Sequence, residues 1–447
     1  MRFRFDYLCL GPLLLACVGG CATHADRLRD VRNDFYAGNL DRSSQAIEKR
    51  IRNKHDADVF KLDRGIVELT AGRPKECEGL LREVRDRFDY LEQTSVPEHV
   101  LATMTDDQRI AYAGEDYEKI LIRAFLALAN LMGDGEDAAA YALQVTDKQQ
   151  QIIQSGADEA GDNPKLRYKR IALGAYIHGL LREETHSNYD DAERAYHSVV
   201  EWEPAFRCGV QDLERARNGH HSAPGHGVVY IFALVGRGPY KEQVEELPTS
   251  AALLIADRIV SHTASHTLPP TIAPIKAPRV ALTRNAITAV EIECDGENRG
   301  RTETIADIGQ SAVDQYAAIY PRVMARAVAR RVVKKGVVYA TKEAIRTDNP
   351  LVELAFDAGG VVWEATESAD TRCWGLLPDK IQVLRLELPV GDHRLSLRAA
   401  RATQALGPDS HTTVRISQGR NTYLLANFPD TNIVGQILTG PRGGTSH

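Results

Sequence analysis

The chain has 447 residues, of which 43% are hydrophobic and 26% charged. That size gives room for two or three domains with sizeable cores. The net charge of −6 is mild and argues against nucleic-acid binding as the main task. No Cys-x-x-Cys occurs, nor any of the G-x-x-x-x-G-K-[ST], H-E-x-x-H and G-x-S-x-G signatures, so no enzyme class, cofactor or metal is indicated.

Arg2 and Arg4 precede an apolar run, Tyr7 to Val18, that ends in Gly19-Gly20-Cys21. The run is too short for a stable bilayer span and fits a secretory leader. Gly19 and Gly20 let a protease reach extended backbone, and the Cys21 thiol can carry a diacylglyceryl group. The pattern resembles the lipobox of bacterial lipoproteins, with cleavage before Cys21. Several acyl chains on one cysteine exceed the two-signal requirement for stable anchoring. The resemblance implies a mature chain beginning Cys21-Ala22-Thr23. With Ala22 rather than an aspartate after the cysteine, it implies an outer-membrane anchor facing the periplasm.

From Asp26 to about Asn218 apolar residues recur at three and four, the spacing of amphipathic helices. The run Leu121 to Met132 suits a buried helix rather than a span, since it holds Arg123 and Asn130. Gly38 and Gly72 are 34 residues apart, the period of a tetratricopeptide repeat. Each falls in a helix-to-helix turn. Gly65 and Cys77 stand where paired helices need small residues, with Leu81 as the larger packing partner. Cys77 is therefore expected as a buried apolar residue. In the clearest unit, Ala192, Tyr196, Val199 and Pro204 take the small, aromatic, apolar and helix-ending roles. Leu173-Gly174 opens the preceding helix, and Glu183 to Asn188 reads as an inserted loop. This half resembles tetratricopeptide-repeat proteins over most of residues 27–205, which specifies a scaffold better than a ligand. The alternative is a non-repeat helical bundle.

Residues 219–227 are polar and rich in breakers, and read as an interdomain linker. His220, His221 and His226 have no Cys, Asp or Glu beside them, so no metal site is expected. Val228 to Val235 is near-continuously apolar and predicts a central strand. The turn Gly236-Arg237-Gly238-Pro239 follows, with Arg237 and Lys241 placed to meet an acidic group. Pro269, Pro270, Pro274 and Pro278 mark an extended connection, with His262 and His266 in a loop before it. Val280 to Thr283 and Ala289 to Cys294 read as strands. One long helix, about Ser311 to Ile345, carries Arg322, Arg326, Arg330 and Lys334 at four-residue spacing. They form a basic ridge, with Val323, Val328, Val332 and Val333 inward. Leu384, Leu386 and Leu388 alternate with Arg385 and Glu387, and Gly391-Asp392-His393 turns into another strand. This resembles the Pro-x-Gly hairpins of small β-sandwich modules. Thr412 to Ile416 and Thr422 to Phe428 are expected to extend the same sheet. The pairing of Cys77, Cys208, Cys294 and Cys373 is left open.

Asp370-Thr371-Arg372-Cys373-Trp374, followed by Leu377-Pro378, stands out between strands. Asp370 and Arg372 suit a buried pair, and Trp374 a core gap. Together with the lipobox, the helical half and the Gly236 to Pro239 turn, this stretch resembles an uncharacterised bacterial lipoprotein family with a helical-repeat N-terminal half. The resemblance covers nearly the whole chain. Relatives are associated with envelope lipoproteins of the curli-secretion and penicillin-binding-protein-activator kinds, and the resemblance leans towards an assembly partner.

The expected fold is α+β and multidomain. It comprises a leader (1–20), a tetratricopeptide-like solenoid (21–218), a linker (219–227), a mixed α/β domain with a β-sandwich-like end (228–435) and a disordered tail (436–447). Residues 22–218 are expected to fold alone. The expected function is a lipid-anchored, non-enzymatic scaffold that binds an envelope protein, without cofactor, metal or nucleic acid. Cys21 is the lipidation site. Arg237, Lys241, Arg322, Arg326, Arg330, Asp370, Arg372 and Trp374 are the candidate binding residues. The alternative is a hydrolase or polysaccharide-binding enzyme with its site in the C-terminal domain.

Overall fold

A computed structural model describes residues 23–52, 56–94, 111–158, 161–263, 274–344, 368–402 and 404–440. The leader, Cys21, His266 and residues 441–447 lie outside the described residues. The fold is α+β. No described helix is long and apolar enough to cross a membrane.

The first half consists of α1 (His24–Arg27), α2 (Arg29–Tyr36), α3 (Leu40–Ile51), α4 (Ala57–Thr70), α5 (Pro74–Thr94), α6 (Asp116–Met132), α7 (Ala138–Gln154), α8 (Leu173–Glu183), α9 (Tyr189–Trp202) and α10 (Arg207–Arg217). From α2 on, each described helix packs against the next. Gly38 and Gly72 make the α2–α3 and α4–α5 turns at φ +82°, a conformation that costs glycine little. Gly65 brings α4 and α5 together. A Cβ there would lie 3.1 Å from Leu81 Cδ2 and 3.8 Å from Cys77 Sγ, so the small and large roles read from the sequence are the ones observed. Burial pushes the Cys77 thiol pKa upward. Ala192, Tyr196 and Val199 are buried in α9, and Gly179 of α8 makes room for the Tyr196 ring. Helix α6 is buried from Tyr117 to Met132. Its buried Arg123 is paired, Nη2 donating to Asp89 Oδ2 at 2.6 Å.

The second half runs β1 (His226–Val235), β2 (Tyr240–Glu246), α11 (Ser250–Thr263), β3 (Ile275–Ala281), β4 (Ala289–Cys294), β5 (Glu297–Arg301), β6 (Glu303–Asp307), α12 (Ile308–Ala344), β7 (Lys380–Pro389), β8 (Gly391–Arg401), β9 (Gln404–Ile416), β10 (Asn421–Phe428) and β11 (Val434–Thr439). One sheet has the order β11-β10-β1-β7-β6, a second β5-β4-β8-β9, and β2 pairs with β3 alone. Among the described residues only β1 and β10 run parallel. Val228, Tyr230, Phe232 and Leu234 of β1 join the apolar cluster of the helices. Val229, Ile231, Ala233 and Val235 join a cluster shared with the four-stranded sheet. A strand buried on both faces has no polar alternation, which explains the continuous apolar run.

The cluster that β1 shares with the helices changes the domain picture. Helices and five-stranded sheet have one continuous core instead of two. The 219–227 stretch is no loose linker. His221 is 1% exposed, its Nε2 lies 2.9 Å from Asn421 Oδ1, Arg385 Nη2 donates to its carbonyl at 2.5 Å, and Ala223 N donates to Glu387 Oε1 at 2.8 Å. Its breakers fold the chain back onto β7 and β10. The expected tail is overturned as far as Thr439, because β11 pairs with β10 and Leu438 lies opposite Leu425. Thr412 to Ile416 and Thr422 to Phe428 enter different sheets: β9 pairs with β8, while β10 pairs with β1. The Ser417 to Gly419 turn crosses between them. Lys241 belongs to β2, not to the preceding turn, and His262 lies in α11, not in a loop. Strand β3 starts at Ile275, earlier than expected, and accommodates Pro278 in a two-stranded sheet. Cys77, Cys208, Cys294 and Cys373 are free thiols.

Candidate functional site

The segment 368–379 runs from the α12 side of the molecule into β7 and passes between helices. Each step is fixed by a hydrogen bond. Ala369 N donates to Gln243 Oε1 at 2.8 Å, His24 N to Thr371 Oγ1 at 3.0 Å, Trp374 N to Glu118 Oε1 at 2.7 Å and Leu376 N to Asp63 Oδ1 at 2.8 Å. Gly238 N donates to Leu377 O at 2.8 Å, so two stretches that stand out in the sequence pack against each other. Trp374 is fully buried, 5.4 Å from the Phe125 ring. It anchors the segment and offers no surface to a ligand.

Glu118 organises the opposite wall. It is buried and accepts from Tyr112 Oη, from Tyr117 Oη at 3.3 Å, from Glu115 N at 3.0 Å and from Trp374 N. Burial, and then the charge of Glu115, raise its pKa, with the hydrogen bonds acting in the other direction. These bonds hold residues 111–115 in place at the start of α6.

Between the two walls lies a cavity of about 250 Å³. Its lining includes Tyr112, Glu115, Lys241, Arg326, Arg330, Asp370 and Arg372, with Tyr316 from α12 and Pro278 from β3. Lys241 is 5% exposed and pairs with Glu115. Burial would lower its pKa, but the Glu115 and Asp370 charges outweigh it and keep the ammonium charged. Arg372 is bidentate on Asp370, at 2.9 Å and 2.7 Å, and sits 5.3 Å over the Tyr112 ring. Burial alone would raise the Asp370 pKa; the Arg372 hydrogen bonds and charge depress it instead. Arg330 is buried at the same cavity, and Arg326 is exposed at it. Among the described residues no carboxylate lies within ion-pair distance of Arg326. Lys241, Arg326, Arg330 and Arg372 line the cavity with the carboxylates of Glu115 and Asp370, and Arg372 also lies 3.4 Å from Asp56 Oδ1. The exposed Arg326 guanidinium there suits an anion.

Five of the eight candidate residues therefore converge on one place, and three do not. Arg322 donates to Gly156 O at 2.9 Å and Asp162 O at 2.8 Å, and pairs with Asp158 at 3.3 Å. Arg237 lies 4.2 Å over the Tyr36 ring and 3.4 Å from Asp430. Trp374 is core. The basic ridge is split because side chains four apart drift about 40° per step around a helix. Val328 is buried against α11 and β3, whereas Val323 lines the cavity. Glu115, Glu118 and Tyr112 were not anticipated. Glu115-x-x-Glu118 ahead of an apolar run was the available signal, and the two form a capping box on α6.

A second cleft, of about 380 Å³, is lined by Glu203, Glu303, Asp307 and Asp314. Each is engaged locally. Lys169 pairs with Glu203 at 2.7 Å and Arg207 with Glu303 at 2.8 Å. Lys380 pairs with Asp307, and Gln310 Nε2 donates to Asp314 Oδ1 at 2.7 Å. Arg207 N also donates to Glu303 at 3.0 Å, placing a carboxylate at the N-terminus of α10.

Cys294, Asp295 and His393 cluster where two hairpins meet. His393 Nδ1 lies 2.6 Å from Asp295 Oδ2, and Nε2 lies 2.8 Å from Pro389 O. When both nitrogens donate, as in the protonated ring, neither offers a lone pair to a metal. Burial lowers the His393 pKa, but the bonds to Asp295 and Pro389 outweigh it, and the net shift is upward. A raised folded-state pKa stabilises the fold fully below the unfolded value of about 6.5. The contribution is lost as pH rises through the folded-state pKa. Urea midpoints measured upward from pH 6 should therefore fall, and His393→Asn should remove that component of the slope. An unchanged slope in the variant would assign the pH dependence elsewhere.

The chain matches no protein-family model, no curated protein and no solved structure with which it was compared.

Proposed function

We propose that the protein is a lipid-anchored envelope scaffold that captures a segment of a protein partner. The observation that carries this reading is the cavity shared by α6, β2, α12 and the 368–379 segment, where cations from distant parts of the chain converge. In this reading α2 to α10 form a tetratricopeptide-like solenoid, and the two larger sheets form a β-sandwich-like end. Nearest-neighbour helix packing supports the first, and the apolar cluster drawn from both sheets supports the second. The scaffold is held at the outer membrane through Cys21 and faces the periplasm. Thr23 caps α1 and the His24 amide bonds to Thr371, so at most about 7 Å of chain joins Cys21 to the packed body. Such a body rides close to the bilayer.

Two experiments bear on the reading. Cys21→Ala should move the chain from the membrane fraction to the soluble fraction, or stall its processing, and should abolish acyl labelling. Unchanged fractionation and labelling would sink the lipid anchor. Crosslinking in native envelopes, followed by mass spectrometry, should trap a protein partner at the cavity. Arg326→Glu should lose that partner while keeping the fold, because Arg326 is exposed.

A further inference from the structure

Cys294, Asp295 and His393 are brought together by two turns far apart in the sequence. Cys294 ends β4, and Asp295-Gly296 is the two-residue turn into β5, with φ +54° and +85°. His393 lies near the start of β8, which pairs with β4. Asp295 N donates to Arg394 O and Arg394 N to Asp295 Oδ1, each at 2.9 Å, so the turn is locked to β8. One atom of each residue, Sγ, Oδ2 and Nδ1, lies within 4.8 Å of the other two.

The His393 ring is oriented from its far side. Nε2 faces Pro389 O at 2.8 Å, and a carbonyl only accepts, so Nε2 carries a hydrogen. In the neutral ring Nδ1 then holds the lone pair, and it faces Asp295 Oδ2 at 2.6 Å. Two lone pairs at that distance repel unless a cation, a proton or a metal ion, lies between them. An imidazole held by a carbonyl through its other nitrogen is the usual arrangement behind a metal. The buried Cys294 Sγ lies 3.6 Å from the same Asp295 oxygen. Zinc bonds of about 2.3 Å to sulfur and about 2.0 Å to oxygen and nitrogen place tetrahedral ligands roughly 3.3–3.5 Å apart. The sulfur–oxygen separation is already close to that. The nitrogen–oxygen separation must open by about 0.7 Å to reach it. Rotation of the exposed Asp295 side chain supplies that opening.

We infer that Cys294, Asp295 and His393 form a binding site for a zinc-class divalent cation, with water as the fourth ligand. A thiolate and an imidazole select such an ion over magnesium or calcium. The thiolate and the carboxylate bring two negative charges, which balance the ion. Glu297 and Arg299 of β5 are the charged neighbours; they pair with each other at 2.9 Å and add no net charge. Burial, and then the Asp295 charge, push the Cys294 thiol pKa up to about 11, so a proton holds the sulfur until a metal displaces it. The ion replaces that proton, and the His393 Nδ1 proton where the ring is charged, and both pass to the buffer. Bound there, it clamps the β4–β5 turn to β8.

The test uses the full chain, reduced and stripped of metal with a chelator, then titrated with cobalt(II) in place of zinc. One equivalent should produce a thiolate-to-cobalt charge-transfer absorption, and added zinc should bleach it. Zinc, unlike magnesium or calcium, should raise the melting temperature. Asp295→Asn keeps the left-handed turn, which asparagine tolerates, and should weaken cobalt binding at least about tenfold. Cys294→Ser should remove the charge-transfer band, while Cys208→Ser should leave it. Cys208 is only half-buried and controls for a chance thiol. Four results would each overturn the inference: no charge-transfer band, a band that survives Cys294→Ser, a band lost in Cys208→Ser, or cobalt affinity unchanged in Asp295→Asn. Cobalt retained without the band would be adventitious binding to exposed histidines only.

Discussion

Glu183→Ala is expected to lower the unfolding free energy by about 3–5 kcal/mol, the cost of removing one member of a buried ion pair. Glu183 is fully buried at the end of α8. Tyr196 Oη of α9 donates to its Oε2 at 2.6 Å, Arg215 Nη2 of α10 donates to the same oxygen at 2.9 Å, and Arg215 Nε donates to Oε1. One carboxylate therefore ties three consecutive helices. Arg215 is also largely buried and pairs with Asp212 at 2.8 Å. Burial would lower the Arg215 pKa, but its bond to Glu183 and the neighbouring negative charges outweigh it and hold the guanidinium charged. Without Glu183 that charge keeps only Asp212, whose own pKa burial pushes up. Glu183→Leu combined with Arg215→Met should cost less than Glu183→Ala alone, because no buried charge is left uncompensated. Urea midpoints at constant slope measure both. A loss below about 1 kcal/mol for Glu183→Ala would mean that water reaches Arg215 after the substitution.

The contrast between what could and could not be read from the sequence follows from the range of the interactions. Gly65, Cys77 and Leu81 lie within one helix pair, so their packing is encoded by spacing along the chain, and it was legible. So were β1, whose unbroken apolar run follows from burial on both faces, and β4, whose bounds were anticipated residue for residue. Glu183 was not: its bonds reach residues 13 and 32 positions away, and in the sequence it looked like the start of a loop. The same holds for the cavity. Lys241, Arg326 and Arg372 were noticed separately, as a turn lysine, a ridge and a paired arginine, but nothing local says that they meet. Strand pairing failed in the same manner. A short turn between two apolar stretches suggests a hairpin. Here β9 and β10 diverge, because β10 covers the open edge of β1.

The continuous core leads to the largest expected effect: residues 23–218 made as a separate chain should not reach the native state. In the intact protein the helices cover one face of the five-stranded sheet, and Tyr230, Phe232, Leu234, Trp374, Leu376 and Leu377 sit in the same apolar cluster as the helix residues. At about 1.5–3 kcal/mol for each fully buried large side chain, their removal forfeits on the order of 10 kcal/mol. The stability of a whole native protein is typically about 5–15 kcal/mol. The fragment would also leave polar groups without partners inside. Asp63 and Glu118 are buried and accept from the Leu376 and Trp374 amides. Burial pushes the Asp63 pKa well up, so it already gains little from ionisation. Glu184 would lose the Asn421 amide that donates to it at 2.9 Å. The fragment should keep far-ultraviolet helical ellipticity but lose near-ultraviolet signal, bind a hydrophobic dye and melt without a sharp transition. The intact chain should unfold in one transition seen alike by Trp374 fluorescence, after removal of the other two tryptophans, and by helical ellipticity. A fragment with dispersed amide resonances and cooperative unfolding would show that the helices close their own core, and that the sheet is an addition rather than a support.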